Sequence, residues 1–272
     1  MQRIWPDSKG YLSFAKLTKR KYAEPLINRG SIYFGTPQQW ADAHKKPGGS
    51  GDIYEGTLGT YLLSEIDKGR EMKEYFESFT DVIEVVIGDR VLLKSKRNMN
   101  LRAFCFYMLQ FDRFSNQDNW ESGSKHIVKM SPKLFADFAD GMTKAEIDKL
   151  PEEEKPSMII IGNGYAFLKR IEDALKAMGV KDEEIFFSEI RYEQISVGSY
   201  RHIKNYYVPQ ELYWKDARYQ HQSEGRIVVN TDNPTVLKAL EEPLQIGTLD
   251  NTIAVRHDDF FENGITVEIV AN

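Results

Sequence analysis

The chain has a single cysteine, Cys105, among 272 residues. That excludes an internal disulfide and any zinc site built on cysteine. Its neighbours in RAFCFYML are apolar, so the thiol reads as a small buried hydrophobe and not as a nucleophile. Positive charge is also short: 36 Lys and Arg against 41 Asp and Glu leave a formal charge of −5, which argues against coating a polyanion by charge alone. No stretch approaches the roughly 18 apolar residues of a membrane span, and MQRIWPDSKGY has no apolar signal-peptide core. The expectation is a cytoplasmic protein with no membrane partner. The histidines, His44, His126, His202, His221 and His257, never fall at the i, i+4 or H-x-E spacings that pre-form a zinc site, and no G-x-S-x-G elbow is present. No metal is expected.

What the chain does have is an aromatic-rich, ordinary globular composition, 41% apolar and 28% charged, enough to bury a core. The segments YLSFAKL (11–17), KYAEPLIN (21–28) and SIYFG (31–35) predict strand, helix, strand, with Gly30 at the helix C-cap. Thr36-Pro37 predicts the start of a short helix, and HKKPGGSGD (44–52) a surface loop. Periodicity predicts a helix over 68–81, a hairpin over VIEVVIGDRVLL (82–93), and a strand buried on both faces over 101–109. Residues 110–125 read as a long loop or short helix over a cleft, 126–132 and 184–195 as strands, and 157–179 as strand, Gly turn, helix. That G-N-G turn lacks the third glycine of a dinucleotide fingerprint and the Lys-Ser/Thr of a P-loop. Further strands are expected in GRIVVN, PLQIGTL and GITVEIVAN. Strands outnumber long helices without regular βα alternation, so the fold class is α+β: a mixed or antiparallel, or split, β-sheet core with flanking helices. A single domain over 1–272 is expected, with 143–156 a helical insertion or flexible segment.

Two basic runs, KLTKRKY (16–22) and KSKRNMNLR (94–102), read as solvated faces before they read as nucleic-acid patches. Asp42, Asp52 and Glu55 bracket the glycine loop. In ARYQHQSEGRIVVN (217–230), strand alternation would put Gln222, Glu224 and Arg226 on one face and Ser223, Ile227 and Val229 on the other. Two polar side chains two residues apart would then enter the same space.

Four blocks carry a family resemblance: SIYFGTPQQWADA with GDIYEG (31–43, 51–56), RAFCFYM (102–108), NQDNWESGSKHIVKM (116–130) and YWKDARYQHQSEGRIVV (213–229). In order and spacing they resemble a family of small bacterial and phage cytoplasmic proteins, described as a domain of unknown function and sometimes labelled abortive-infection-like. Trp40 stands for the family's Phe, Ala-Asp-Ala for its Asn-Asp-Pro, and Gln222 for the first Glu of its E-x-E-x-R strand; Glu224 and Arg226 are retained. That strand and the early strand-helix-strand are similar to the split sheet of ADP-ribosyltransferases.

The resemblance implies NAD as cofactor, with Glu224 stabilising an oxocarbenium-like ribose and Gln222 orienting the acceptor. It implies Tyr33 as a nicotinamide wall, Thr36 beside it, and Lys16 or Arg226 as a phosphate contact, with Ser13 and Tyr11 also on the first strand. Lys16 stands on that strand in place of an Arg or His. Asp42, Glu55, Trp120 and Tyr219 would share the cleft. Three functions follow: an ADP-ribosyltransferase-like protein of phage–host conflict with a protein or nucleic-acid acceptor; a non-catalytic module of the same fold recognising a protein through NYYVPQELYW and Trp120; and a metal-dependent nuclease using Asp42, Asp52, Glu55 and Glu224.

Overall fold

A computed structural model of the chain describes residues 12–43, 51–110, 125–130, 134, 139, 142–198, 208–257 and 265–270. In chain order the elements are β1 (Leu12–Lys19), α1 (Arg20–Arg29), β2 (Ser31–Ile32), α2 (Pro37–Ala43), β3 (Thr57–Leu62), α3 (Ile66–Glu77), β4 (Val82–Ile87), β5 (Arg90–Ser95) and β6 (Arg102–Gln110). They continue with β7 (Lys125–Met130), α4 (Lys144–Asp148), β8 (Pro156–Ile161), α5 (Gly164–Ala177), β9 (Ile185–Glu189), β10 (Arg191–Glu193) and β11 (Trp214–Asp216). The last are β12 (Glu224–Val229), α6 (Pro234–Ala239), β13 (Leu244–Gln245), β14 (Thr252–Arg256) and β15 (Ile265–Val270).

The fold is α+β. Its main sheet has six strands in the order β14-β8-β1-β6-β12-β9, and every pairing in it is antiparallel. Alternation sorts its side chains. Phe14, Phe104, Phe106, Met108, Ile159, Ile161, Ile227 and Val229 join Phe167, Leu168, Ile171 and Leu175 of α5 in the largest core. The opposite face is smaller and mixed: Ala103 and Val228 pack with Leu101, Ile190, Leu212 and Tyr213, and Trp40 of α2 lies against them. A second sheet, β3-β5-β4, buries Leu58, Tyr61, Val91 and Leu93 under Met72 and Phe76 of α3. The β4–β5 hairpin turns on Gly88-Asp89 with positive φ at Gly88 alone, the II′ pattern, which is why Gly-Asp suits it in that order.

Helix α1 ends as its sequence predicts: Gly30 adopts φ 58° and its N–H caps the Pro25 carbonyl. At α2, Thr36 and Gln39 cap each other reciprocally, Gln39 N–H to Thr36 Oγ1 at 3.2 Å and Thr36 N–H to Gln39 Oε1 at 2.9 Å. The first basic run is not an open basic face. Lys19 and Lys21 pair with Glu154, and Arg20 with Glu152, so the acidic turn at 152–154 covers the end of β1. In the second run, Lys94 is buried and donates to the Ile53 carbonyl at 2.7 Å, while Arg97 and Arg102 pair with Asp232 and Glu241.

Three expectations need correction, one of them the strand over PLQIGTL, which is limited to Leu244–Gln245. The strand expected over 31–35 is a strand only at Ser31–Ile32, because Phe34 turns into the core and Gly35 makes a lone bridge to Ala103. The strand expected over 184–195 is two, β9 and β10: after Ile190 the chain leaves β12 and pairs in parallel with β11. Strand β14 and helix α6, with Asn233 as its N-cap and Pro234 first inside, were not anticipated. Of the expected loop over 44–52 only 51–52 are described, and of the segment 110–125 only its ends, Gln110 in the strand Arg102–Gln110 and Lys125 in the strand Lys125–Met130; Trp120 and Tyr11 lie outside the described residues.

One junction positions the site. Strand β1 pairs with β8 along Phe14–Lys19, yet its register with β6 covers only Leu12–Ala15 against Tyr107–Gln110. From Lys16 onward β1 and β6 part, and the Gly35 carbonyl takes the Ala103 N–H at 2.9 Å instead. The sheet is split there.

Between Glu224 and Arg226, Gly225 packs against the neighbouring strand: a Cβ there would lie 2.8 Å from both the Met108 sulfur and the Phe106 ring. Gly225→Ala is expected to cost about 1–3 kcal/mol through overpacking. Urea denaturation checks this, and an unchanged midpoint would contradict the packing described.

Candidate functional site

Two groups of sequence-predicted residues occupy different places. The first is a buried cluster of charge on the α2 side of the sheet. Glu224 opens β12 and Arg226 follows two residues later, so both project to one face. Glu55 arrives from the turn before β3, and its carboxylate meets Arg226 in two bonds, Nη1 to Oε1 at 2.6 Å and Nη2 to Oε2 at 3.2 Å. Glu224 Oε1 accepts from Arg226 Nε at 3.2 Å and Nη2 at 2.7 Å, and the Leu212 carbonyl takes the remaining Nη1 proton. A guanidinium has five N–H donors, and all five of Arg226 are used. Its side chain is 0% exposed, with its guanidinium carbon 4.8 Å from the Trp40 ring centroid.

Lys215 of β11 completes the cluster, donating to Glu224 Oε2 at 2.6 Å and Gln222 Oε1 at 3.1 Å, with its ammonium 5.6 Å from the Tyr219 ring centroid. Burial alone would push the Glu224 carboxyl up, but Lys215 and Arg226 hold it well below the usual range. For Lys215, burial pulls down while Glu224 and Glu55 outweigh it and hold the pKa well above the lysine value. Asp52 lies at the edge. It is 5% exposed, its Oδ1 takes the Tyr54 N–H at 2.9 Å and its Oδ2 has no partner. Burial and then Glu55 raise its pKa.

The second place is the split in the sheet. A cleft of about 620 Å³ opens between β1 and β6, lined by Lys16, Tyr33, Trp40, Phe104, Cys105 and Glu242 among others. Lys16 reaches across the gap to the Cys105 carbonyl at 2.6 Å, its ammonium 4.9 Å from the Phe104 ring centroid. It makes no ion pair among the described residues, and burial pulls its pKa below the ordinary lysine value. Tyr33 stands at the cleft 51% exposed. Burial pushes the Cys105 thiol up to about 12, so it stays protonated and unreactive.

The geometry therefore joins Glu224, Arg226, Glu55, Gln222 and Tyr219 in one cluster and Lys16 with Tyr33 in another. Trp40 touches both, and Glu224 does not line the cleft. Gln222 reaches Glu224 by a route other than strand alternation: it ends a 3-10 turn (Ala217–Gln222), and Ser223 at φ 42° breaks the extended backbone between them. Lys215 is what brings the two together. All five Arg226 donors are engaged within the cluster. Thr36 is buried as a helix cap, and Asp42 accepts from Gln38 at 2.8 Å on α2, apart from the Arg226 cluster's hydrogen bonds. Ser13 donates to the Gly162 carbonyl at 3.2 Å. Tyr213, expected at a partner interface, is buried with its hydroxyl on the Phe186 carbonyl at 3.1 Å. Among the described residues no group of three or more His, Cys, Asp or Glu could hold a metal. No described helix is long and apolar enough to cross a membrane.

Lys215 and Trp40 were missed as site residues, although both sit inside blocks that carry the resemblance. No protein-family model, no curated protein and no solved structure matches the chain.

Arg226→Ala leaves Glu55 buried without its cation and Glu224 with Lys215 alone, and is expected to cost about 3–5 kcal/mol, measured by denaturant titration; a loss under 1 kcal/mol would show that the cluster is not structural. Asp52→Asn has the opposite sign. A carboxyl whose folded pKa is raised costs stability as pH rises above its unfolded value of 3.8. The variant should therefore melt higher than the parent at pH 7 and converge with it near pH 4, whereas a lower melting temperature at pH 7 would contradict this.

Proposed function

We propose that the chain is a nucleotide-binding protein of ADP-ribosyltransferase-like architecture, holding NAD in the β1–β6 cleft and not turning it over. The observation that carries this is Lys16: a largely buried ammonium with one hydrogen bond and, among the described residues, no ion pair, at the split of the sheet. A buried cation without a counter-ion is costly, and an incoming phosphate supplies what it lacks. Tyr33 offers an open ring face to a base or nicotinamide in the same cleft. A volume of about 620 Å³ falls within the roughly 300–1,000 Å³ of small-molecule sites.

Turnover needs a carboxylate at the reacting sugar to stabilise its developing charge. Glu224 is committed to Arg226 and Lys215 in the buried cluster and is not on the cleft wall, which supports binding without transfer.

Calorimetric titration with NAD tests the proposal. Lys16→Met keeps the side-chain volume, removes the cation, and should weaken binding about tenfold or more, the worth of one charge-assisted hydrogen bond. Unchanged affinity in that variant would overturn the site. Release of nicotinamide by the parent protein, lost in Glu224→Gln, would overturn the absence of turnover. The pH dependence has a fixed sign. Phosphate binding needs the ammonium, so affinity falls as pH rises through the Lys16 pKa, earlier on the alkaline side than the lysine value of 10.5 allows. Affinity that stays level until that value would argue for a contact other than Lys16.

A further inference from the structure

Trp40 belongs to both places, and one of its atoms is used by neither. Its ring centroid lies 4.8 Å from the Arg226 guanidinium carbon, and its backbone N–H closes the first turn of α2 on the Thr36 carbonyl at 3.2 Å. The indole Nε1–H has no acceptor among the described residues. Its position depends on Gly35: a Cβ there would lie 2.9 Å from Nε1 and 3.4 Å from Cε2, so the indole edge takes the room a side chain would need. Gly35 and Trp40 both line the cleft. The same glycine marks the split, its carbonyl taking the Ala103 N–H at 2.9 Å, while Lys16 reaches the Cys105 carbonyl at 2.6 Å. Ala103 and Cys105 are two residues apart on β6, about 7 Å along the strand. Two donors are therefore anchored to one strand edge: the ammonium at Cys105 and the indole, through Gly35, at Ala103.

Resting on the reading of the cleft as a nucleotide site, we propose that Trp40 is its specificity-determining residue, donating the indole N–H to an uncharged oxygen acceptor of the ligand while Lys16 holds the phosphate. A ligand that enters the cleft displaces water from this N–H, and unless it brings an acceptor of its own the lost hydrogen bond is not replaced. The donor thus favours a ligand with a carbonyl or hydroxyl oxygen roughly one strand repeat, about 7 Å, from its phosphate, and disfavours one without it. Arg226 holds the face of the indole and Gly35 its edge, so the donor is in place before the ligand arrives. The buried cluster acts on the cleft through this ring.

NAD is the probe. The chain has four tryptophans, so labelling tryptophan with nitrogen-15 gives four indole N–H signals, and the one absent from Trp40→Phe belongs to Trp40. Adding NAD should move that signal downfield and slow its exchange with water, which a ring serving only as packing would not do. In calorimetric titration Trp40→Phe, which leaves an aromatic ring for the Arg226 guanidinium and removes the donor, should weaken NAD about fivefold, the worth of one neutral hydrogen bond. Gly35→Ala, which displaces the indole edge, should weaken it by a similar factor. A Trp40 signal that stays in place while NAD binds, or an affinity that neither variant lowers, overturns the proposal. Lys16→Met keeps the two readings apart: where it weakens NAD and Trp40→Phe does not, the nucleotide site stands without this donor. Where the parent protein binds no NAD, site and donor fall together.

Discussion

Arg226 is the residue on which most of this structure closes. Its five N–H groups tie together pieces of chain that share no local sequence: the turn at Glu55, the start of β12 at Glu224, and the carbonyl of Leu212, with Trp40 of α2 across the guanidinium plane. Such a group is not a simple source of stability, because stripping water from three charges costs about what their attraction returns. Its effect is on uniqueness. A one-residue slip of β12 would carry Arg226 to the face that holds Phe106 and Met108 and bring Gly225 and Ile227 to the charged side, which neither face tolerates. The ion group thus fixes the register of the strand that the main core also needs.

That commitment separates the two halves of the expected active site. A strand bearing Gln222, Glu224 and Arg226 looks like chemistry aimed at a cleft. In the folded chain the same side chains satisfy one another, and the open cation is on β1. Lys16 is available because β1 leaves β6 after Ala15, and because Gly35 takes the vacated hydrogen bond. Trp40 is shared by the two, its ring centroid 4.8 Å from the Arg226 guanidinium carbon and the residue part of the cleft lining. The cluster holds the wall; the split provides the space.

The legible part of the fold is the part encoded locally. Alternation in LSFAKL and VIEVVI, the apolar run over 101–109 and the Gly30 cap are each decided within a few residues, and each is found as expected. Strand β14 escaped because it is an edge strand with one neighbour and mostly exposed side chains, so its sequence carries no alternation. The union of Gln222 and Glu224 was expected for the wrong reason: a left-handed serine between them is invisible to a period of two. Glu55 and Arg226 are 171 residues apart, and no local pattern announces that one saturates the other. Lys215 and Trp40 lie in quoted blocks, but a single lysine or tryptophan has no period to mark what it will touch.

The account stands on the cleft, and not the Glu224 strand, being where a nucleotide sits. Amide hydrogen exchange with and without NAD measures this directly. Protection is expected at Lys16–Lys19, Ser31–Gly35 and Ala103–Cys105, with Glu224–Arg226 already protected and unchanged. Protection appearing at Lys215–Arg226, with none along the split between β1 and β6, would contradict it.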